Sequence, residues 1–174
     1  MRRTRLAVAF LTLSCAVGCV TVAPRVAKYS PPAPASGYVG GLFTKDTVVG
    51  FGFGLRDEQT KREYVLAVED NDVGLISVPP GVYRVAYWMT WSLTREKLTK
   101  KEIPTNVSFG RTFEVGAGRV MLLGKWSADR EIGFARNTFL IVPQRISERE
   151  AVEAFRAAYP AFAGVPVGCL LCLP

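Results

Sequence analysis

The sequence predicts a mainly β protein, an antiparallel β-sandwich of about 7–8 strands with one C-terminal helix packed on it. Three observations carry that expectation. From Tyr38 onward, short apolar runs alternate with turn residues roughly every ten positions, the spacing of sandwiches and barrels. The run from Val82 to Trp91 alternates with a period of two, as a half-buried strand does. Near the end, Ser147 and Glu150 form a capping-box pattern that opens a helix.

The elements follow in chain order. Arg2, Arg3 and Arg5 precede an apolar run from Leu6 to Leu13, and Ala16-Val17-Gly18 then leads to Cys19. A basic start, a short apolar stretch and small residues before a cut describe a secretory signal peptide over residues 1–18. The run is too short and too interrupted for a membrane-spanning helix, which needs about 20 apolar residues. A cysteine directly after the small residues resembles the lipobox of bacterial lipoproteins. That resemblance implies cleavage before Cys19, a thioether-linked diacylglycerol on its sulfur and acylation of the new amino terminus. Cys15, the rival cut site, follows Thr12-Leu13-Ser14 and leaves a cramped apolar stretch. Arg2-Arg3 lacks the apolar pattern that follows a twin-arginine signal, and reads as part of a plain basic start.

Residues 19–36 contain Pro24, Pro31, Pro32 and Pro34, which restrict the backbone and remove donors. They predict an extended, unpacked tether able to hold the domain up to roughly 50 Å from a bilayer. Residues 37–174 then form the domain. Expected strands are 47–55, 62–68, 73–78, 82–91, 107–115, 119–125 and 134–142. Pro79-Pro80-Gly81 is a rigid turn before the fourth of these, and Gly116-Ala117-Gly118 is read as a hairpin. In strand 82–91, Tyr83, Val85, Tyr87, Met89 and Trp91 share the apolar face, which puts Trp88 on the opposite one. Within the helix, Val152, Phe155 and Tyr159 face the sheet, and Pro160 stops it.

Composition narrows the chemistry. The chain has no histidine, which removes serine–histidine and cysteine–histidine nucleophile systems and histidine-bearing zinc sites. Loss of Arg2, Arg3 and Arg5 lowers the formal charge of +7 by three, a surplus too small and dispersed for nucleic acid. With Cys15 removed and Cys19 carrying lipid, only Cys169 and Cys172 stay in the domain. In an oxidising compartment their spacing predicts a small structural disulfide. No helix can follow Cys172 to make a thioredoxin-like site, and two thiols alone make a poor metal site.

Three stretches invite a sharper reading. Asp70-Asn71-Asp72 resembles the start of a calcium loop, but the sixth and twelfth loop positions hold Leu75 and Gly81, so a polar turn is expected. Gly50, Gly52 and Gly54 put a bare face opposite Val49, Phe51, Phe53 and Leu55. That face suits close packing at a sheet bend, or else a groove for a glycan or peptide walled by Trp88, Trp91 or Trp126. Arg95, Lys97, Lys100 and Lys101, interleaved with Glu96 and Glu102, read as a solvated loop or as a contact for anionic lipid.

The Pro79-Pro80-Gly81-x-Tyr83 turn, the stretch Phe113-Glu-Val-Gly-Ala-Gly-Arg-Val120 and the Tyr159-Pro160 helix end are similar to those of small bacterial envelope lipoproteins. Those carry a β-sandwich domain of unknown function with a carboxypeptidase-regulatory-like pattern. The similarity spans roughly residues 73–164 and implies fold and location; it lends no catalytic residue. The expectation is therefore a lipid-anchored envelope lipoprotein with a non-catalytic binding or structural domain and no cofactor. Val20 after the lipidated cysteine implies, by enteric-type sorting, the periplasmic face of the outer membrane. Trp88, Lys100 and Lys101 are the candidate surface for an envelope protein or glycan, and Cys19 the lipidation site. Two alternatives stand beside this reading: a glycan hydrolase using paired carboxylates, and a subunit of a larger envelope or secretion assembly.

Overall fold

The computed structural model describes residues 20–45, 50–68, 71–91, 98–132 and 137–174. The signal segment, Cys19, Arg95 and Lys97 lie outside the described residues, as does the start of the acidic turn at Glu69-Asp70. The chain is mainly β, 54% strand, in two sheets packed as a sandwich with one helix near the C-terminus. One sheet has the order β1(Val20–Val22), β4(Glu63–Val68), β3(Gly50–Asp57), β6(Gly81–Trp91), β7(Leu98–Glu102), and β8(Thr112–Val115) also pairs with β6. The second has the order β10(Asn137–Gln144), β9(Val120–Ile132), β2(Gly37–Lys45), β5(Asp72–Val78), with β11(Val167–Cys169) also on β9.

Eleven strands among the described residues exceed the expected number because short edge pieces join the sheets. β2 lacks clean alternation, since it is buried on both faces and reads Gly-Tyr-Val-Gly-Gly-Leu-Phe. The sandwich is also mixed: β1 with β4, β2 with β9 and β11 with β9 run parallel. The turn at Gly116–Gly118 is not a hairpin. It carries the chain from β8 in the first sheet to β9 in the second, and the turn at Pro79-Pro80 makes the reverse crossing. That proline turn is pinned by Tyr83, whose hydroxyl donates to the Pro79 carbonyl at 2.7 Å.

Between the sheets lies an aromatic core. Phe51, Phe53 and Leu55 from β3 meet Phe43, Ile76, Leu123 and Trp126 from the second sheet. The Phe53 ring centre lies 4.9 Å from that of Trp126, tilted against it; Trp126 also meets Phe109 at 4.3 Å and donates its indole N–H to the Leu123 carbonyl. Trp126 is thus a core residue and cannot wall a surface groove.

A second core lies on the outer face of the other sheet, under α1(Glu148–Ala158). The capping box at Ser147 and Glu150 forms as its pattern predicts, with the Glu150 N–H donating to the serine oxygen at 3.2 Å. Phe155 and Tyr159 are fully buried, but Ala151 holds the third inward position and Val152 is only half-buried. Ala151, Phe155 and Tyr159 recur every four residues, a straighter stripe than one through Val152, and the small alanine lets the helix approach the sheet.

The expected unpacked tether is corrected. β1 pairs with β4, Ala23 is buried, and the Val26 N–H donates to the Leu75 carbonyl at 2.8 Å. Arg25 and Lys28 reach Asp72 at 3.1 and 2.9 Å. Only the proline stretch that follows, around the exposed Tyr29, runs over the surface. The reason is sequence that reads both ways: Val-Thr-Val before the first proline is good strand material, and β4 offers it a free edge.

Candidate functional site

The outer face of the first sheet gathers most of the residues that the sequence singled out, and a β-bulge decides which of them it presents. Gly54 pairs with Tyr87 but Leu55 pairs with Val85, so Ala86 has no partner on β3. Its carbonyl instead accepts the Ile103 N–H at 2.8 Å. One extra residue reverses the alternation beyond it. Tyr83 and Val85 point into the core before the bulge; after it Trp88 packs against the core and Thr90 is buried. Tyr87 and Trp91 move to the outer face. This corrects the expected faces of Trp88 and Trp91, which exchange places.

The three glycines explain where the displaced rings go. A Cβ on Gly54 would run into the Tyr87 ring, and one on Gly50 into the Trp91 indole. At Gly52 a Cβ would come within 2.7 Å of the Leu66 carbonyl oxygen. The bare glycine face is therefore filled by the protein's own aromatics, and the groove reading of Gly50–Gly54 fails for that reason.

Around Tyr87 stands a polar cluster. The Lys100 ammonium sits 3.6 Å above the centre of its ring and also lies 3.3 Å from Glu102 and 3.8 Å from Glu63. The Arg56 Nε donates to Glu63 at 3.0 Å. Burial opposes charge on Glu63, but the Arg56 hydrogen bond, the Lys100 charge and the Tyr87 hydroxyl hold its carboxyl below the usual range. Burial, with the Glu63 charge behind it, pushes the Tyr87 phenol far above its ordinary value. Lys100 is consequently a bound cation and Tyr87 a neutral one-proton donor.

Lys101 lies directly opposite Trp88, its ammonium 5.8 Å from the indole centre. Alternation along β7 thus places Lys100 beside Tyr87 and Lys101 beside Trp88, so the predicted trio does not form one surface. The half-buried Trp91 and the Tyr87–Lys100 pair, which the sequence reading put elsewhere, occupy the outer face instead. The signal for them was the glycine spacing itself: small residues on alternate positions are what flat rings cover.

Two further features lie away from this face. Cys169 and Cys172 are joined by a disulfide with Cα atoms 5.5 Å apart, and both pack against the helix-side core. A shallow hollow of about 230 Å³ lies between the β8–β9 turn and β11, lined by Glu114, Arg119, Met121, Pro166 and Val167. Among the described residues no group of three or more acidic or cysteine side chains is placed to hold a metal ion. None of their helices is long and apolar enough to cross a membrane.

No family model and no curated protein matches the chain. Among solved structures, a leucine-rich repeat protein from Bacteroides thetaiotaomicron aligns at a TM-score of 0.35 and 14% identity, over 53% of this chain. The aligned part spans only 14% of that protein's length. A likeness this loose supports no argument about fold or function.

Proposed function

We propose that this protein is a lipid-anchored lipoprotein of the bacterial cell envelope, whose sandwich domain binds a partner or serves a structural role without catalysing a reaction. The observation that carries the reading is Cys19 behind Ala16-Val17-Gly18 and the basic and apolar segments before them. Val20 at the next position favours the periplasmic face of the outer membrane. A non-catalytic role draws support from the absence of histidine and from the direction of the carboxyl shifts. Among the described residues, Asp57, Glu58, Glu63, Asp72 and Glu150 are each shifted downward, so none of these five supplies the raised carboxyl that a glycosidase acid needs to keep its proton at neutral pH.

Mass spectrometry of the mature amino terminus tests the proposal. The expected product begins at a diacylglyceryl-modified, N-acylated Cys19, and Cys19→Ser abolishes it while Cys15→Ser leaves it intact. A mature chain that starts elsewhere without lipid would sink the reading. Hydrolysis of peptidoglycan by the purified protein, lost on replacing one acidic residue, would overturn the non-enzymatic part alone.

A further inference from the structure

We infer that the sandwich sits directly on the bilayer that holds its lipid, with one end of the paired sheets facing phosphate-bearing head groups. The inference rests on lipidation at Cys19. Its structural basis is independent of that reading: the chain is already tied to the fold at Val20, which pairs with Glu63 at the start of β4. The residue peptide-bonded to Val20 lies one Cα step of about 3.8 Å away. Between the anchor and the domain there is no slack.

Strand direction tells which end faces the membrane. β1 runs parallel to β4, so its first residue lies at the end of the sandwich where β4 begins. Three turns gather there. Residues 58–62 join β3 to β4, Pro79-Pro80 joins β5 to β6, and residues 116–119 join β8 to β9. Their common level is set by register, since Asp57 pairs with Tyr83, Gly81 with Val115, and Gly37 with Val78. The Tyr38 N–H donates to the Arg119 carbonyl at 3.0 Å, which brings the last turn to the same end.

The chemistry of this end fits a head-group layer. Arg62 and Arg119 are exposed, and among the described residues neither has an acidic side chain within ion-pair distance. Glu58, the nearest acid in the first turn, is already neutralised by Lys61 at 3.0 Å and Arg84 at 2.8 Å. Asp57 turns inward and accepts the Gln59 and Thr60 N–H groups. Pro79, Pro80 and the 45%-exposed Val82 add apolar surface beside these cations. Two unpaired guanidinium groups flanking apolar turns are suited to lipid phosphates at an interface. The opposite end, where Lys28 reaches Asp72 and the exposed Tyr29 follows it in the chain, is separated from it by the length of β5, about 20 Å.

The test uses the full lipidated protein in vesicles of phosphatidylethanolamine and phosphatidylglycerol that contain nitroxide head-group lipid. A fluorophore is attached in turn at Gln59→Cys, on the anchored end, and at Tyr29→Cys, on the far end. Strong quenching at position 59 with little at 29 is the expected result. R62Q or R119Q should each lower the docked-to-undocked ratio about fivefold, and a Gly/Ser-rich insertion between Cys19 and Val20 should weaken quenching at 59. Folding of each variant is checked by circular dichroism before reconstitution. Equal quenching at both positions in a sample whose Cys19 is shown by mass spectrometry to be acylated would overturn the docking and leave the lipoprotein reading standing. An unacylated amino terminus would overturn both.

Discussion

Ala86 does more to arrange the surface of this protein than any of the aromatic residues around it. By taking an extra place in β6 it turns Trp88 inward and brings Tyr87 and Trp91 over the glycines of β3. The Tyr87 ring then lies where a side chain at position 54 would be, so Gly54→Ala should destabilise the domain by about 1–3 kcal/mol. The effect is read as a lower urea midpoint at unchanged slope. In a Tyr87→Ala background the same substitution should cost much less, and an equal cost in both backgrounds would show that the ring contact is not the cause. The alternation in residues 82–91 was legible as a strand, and Tyr83 and Val85 face as it predicts. The bulge was not legible, because it depends on how β6 meets β3 and on the Ile103 N–H that takes up the freed carbonyl, neither of which is local. Hence the outward face expected for Trp88 exists on only half of the strand, and Trp88 lies beyond the point where it ends.

Among the elements, α1 was the most legible and β9 among the least. Everything that starts and stops the helix is local: serine and glutamate at the cap, apolar residues at helical spacing, proline at the end. Ser147→Ala should accordingly cost about 1 kcal/mol, and Phe155→Ala, which empties the centre of the helix-side core, about 3–5 kcal/mol. Denaturant melts of the two variants check this, and near-equal costs would mean the helix is held by its cap and not by its packing. β9 runs from Val120 to Ile132, well past the expected end at residue 125. Its register against β2 shifts between Leu122 and Lys125, where Gly124 takes a φ of 97°. That left-handed backbone takes up an extra residue in β9, so that Leu123 and Trp126, three positions apart, both face the inter-sheet core. A glycine inside an apolar run looks like a strand end; here it is the bulge that keeps Trp126 and Ala128, beyond it, on the same core as Leu123.

At the scale of the whole molecule, the amino-terminal segment decides how the domain is held. Its attachment spans both sheets, from β1 on β4 to Arg25, Val26 and Lys28 on β5, with the Tyr159 hydroxyl donating to the Val26 and Val73 carbonyls. Proline content suggested a free tether because it reports local stiffness and says nothing of a distant sheet edge. The polar part of this attachment converges on Asp72. Burial opposes its charge, but the Lys28 hydrogen bond, the Val73 N–H and the charges of Lys28 and Arg25 hold its carboxyl below the usual carboxylate range. A carboxyl lowered by folding contributes its stability above the unfolded value and loses it as pH falls through the folded one. The Val26 N–H, bonded to Leu75 at 2.8 Å, reports the clip directly. Its hydrogen-exchange protection should stay level from about pH 7 to pH 5 and drop below about pH 4, the range in which Asp72 takes up its proton. The Leu170 N–H, bonded to Leu122 at 2.8 Å beyond the reach of this cluster, should keep its protection over the same interval. Asp72→Asn removes the titrating charge, so protection at Val26 should be lower at neutral pH and flat on acidification. If Val26 loses protection with the same pH profile in wild type and in Asp72→Asn, the segment is held by its strand pairing and not by this cluster of charges.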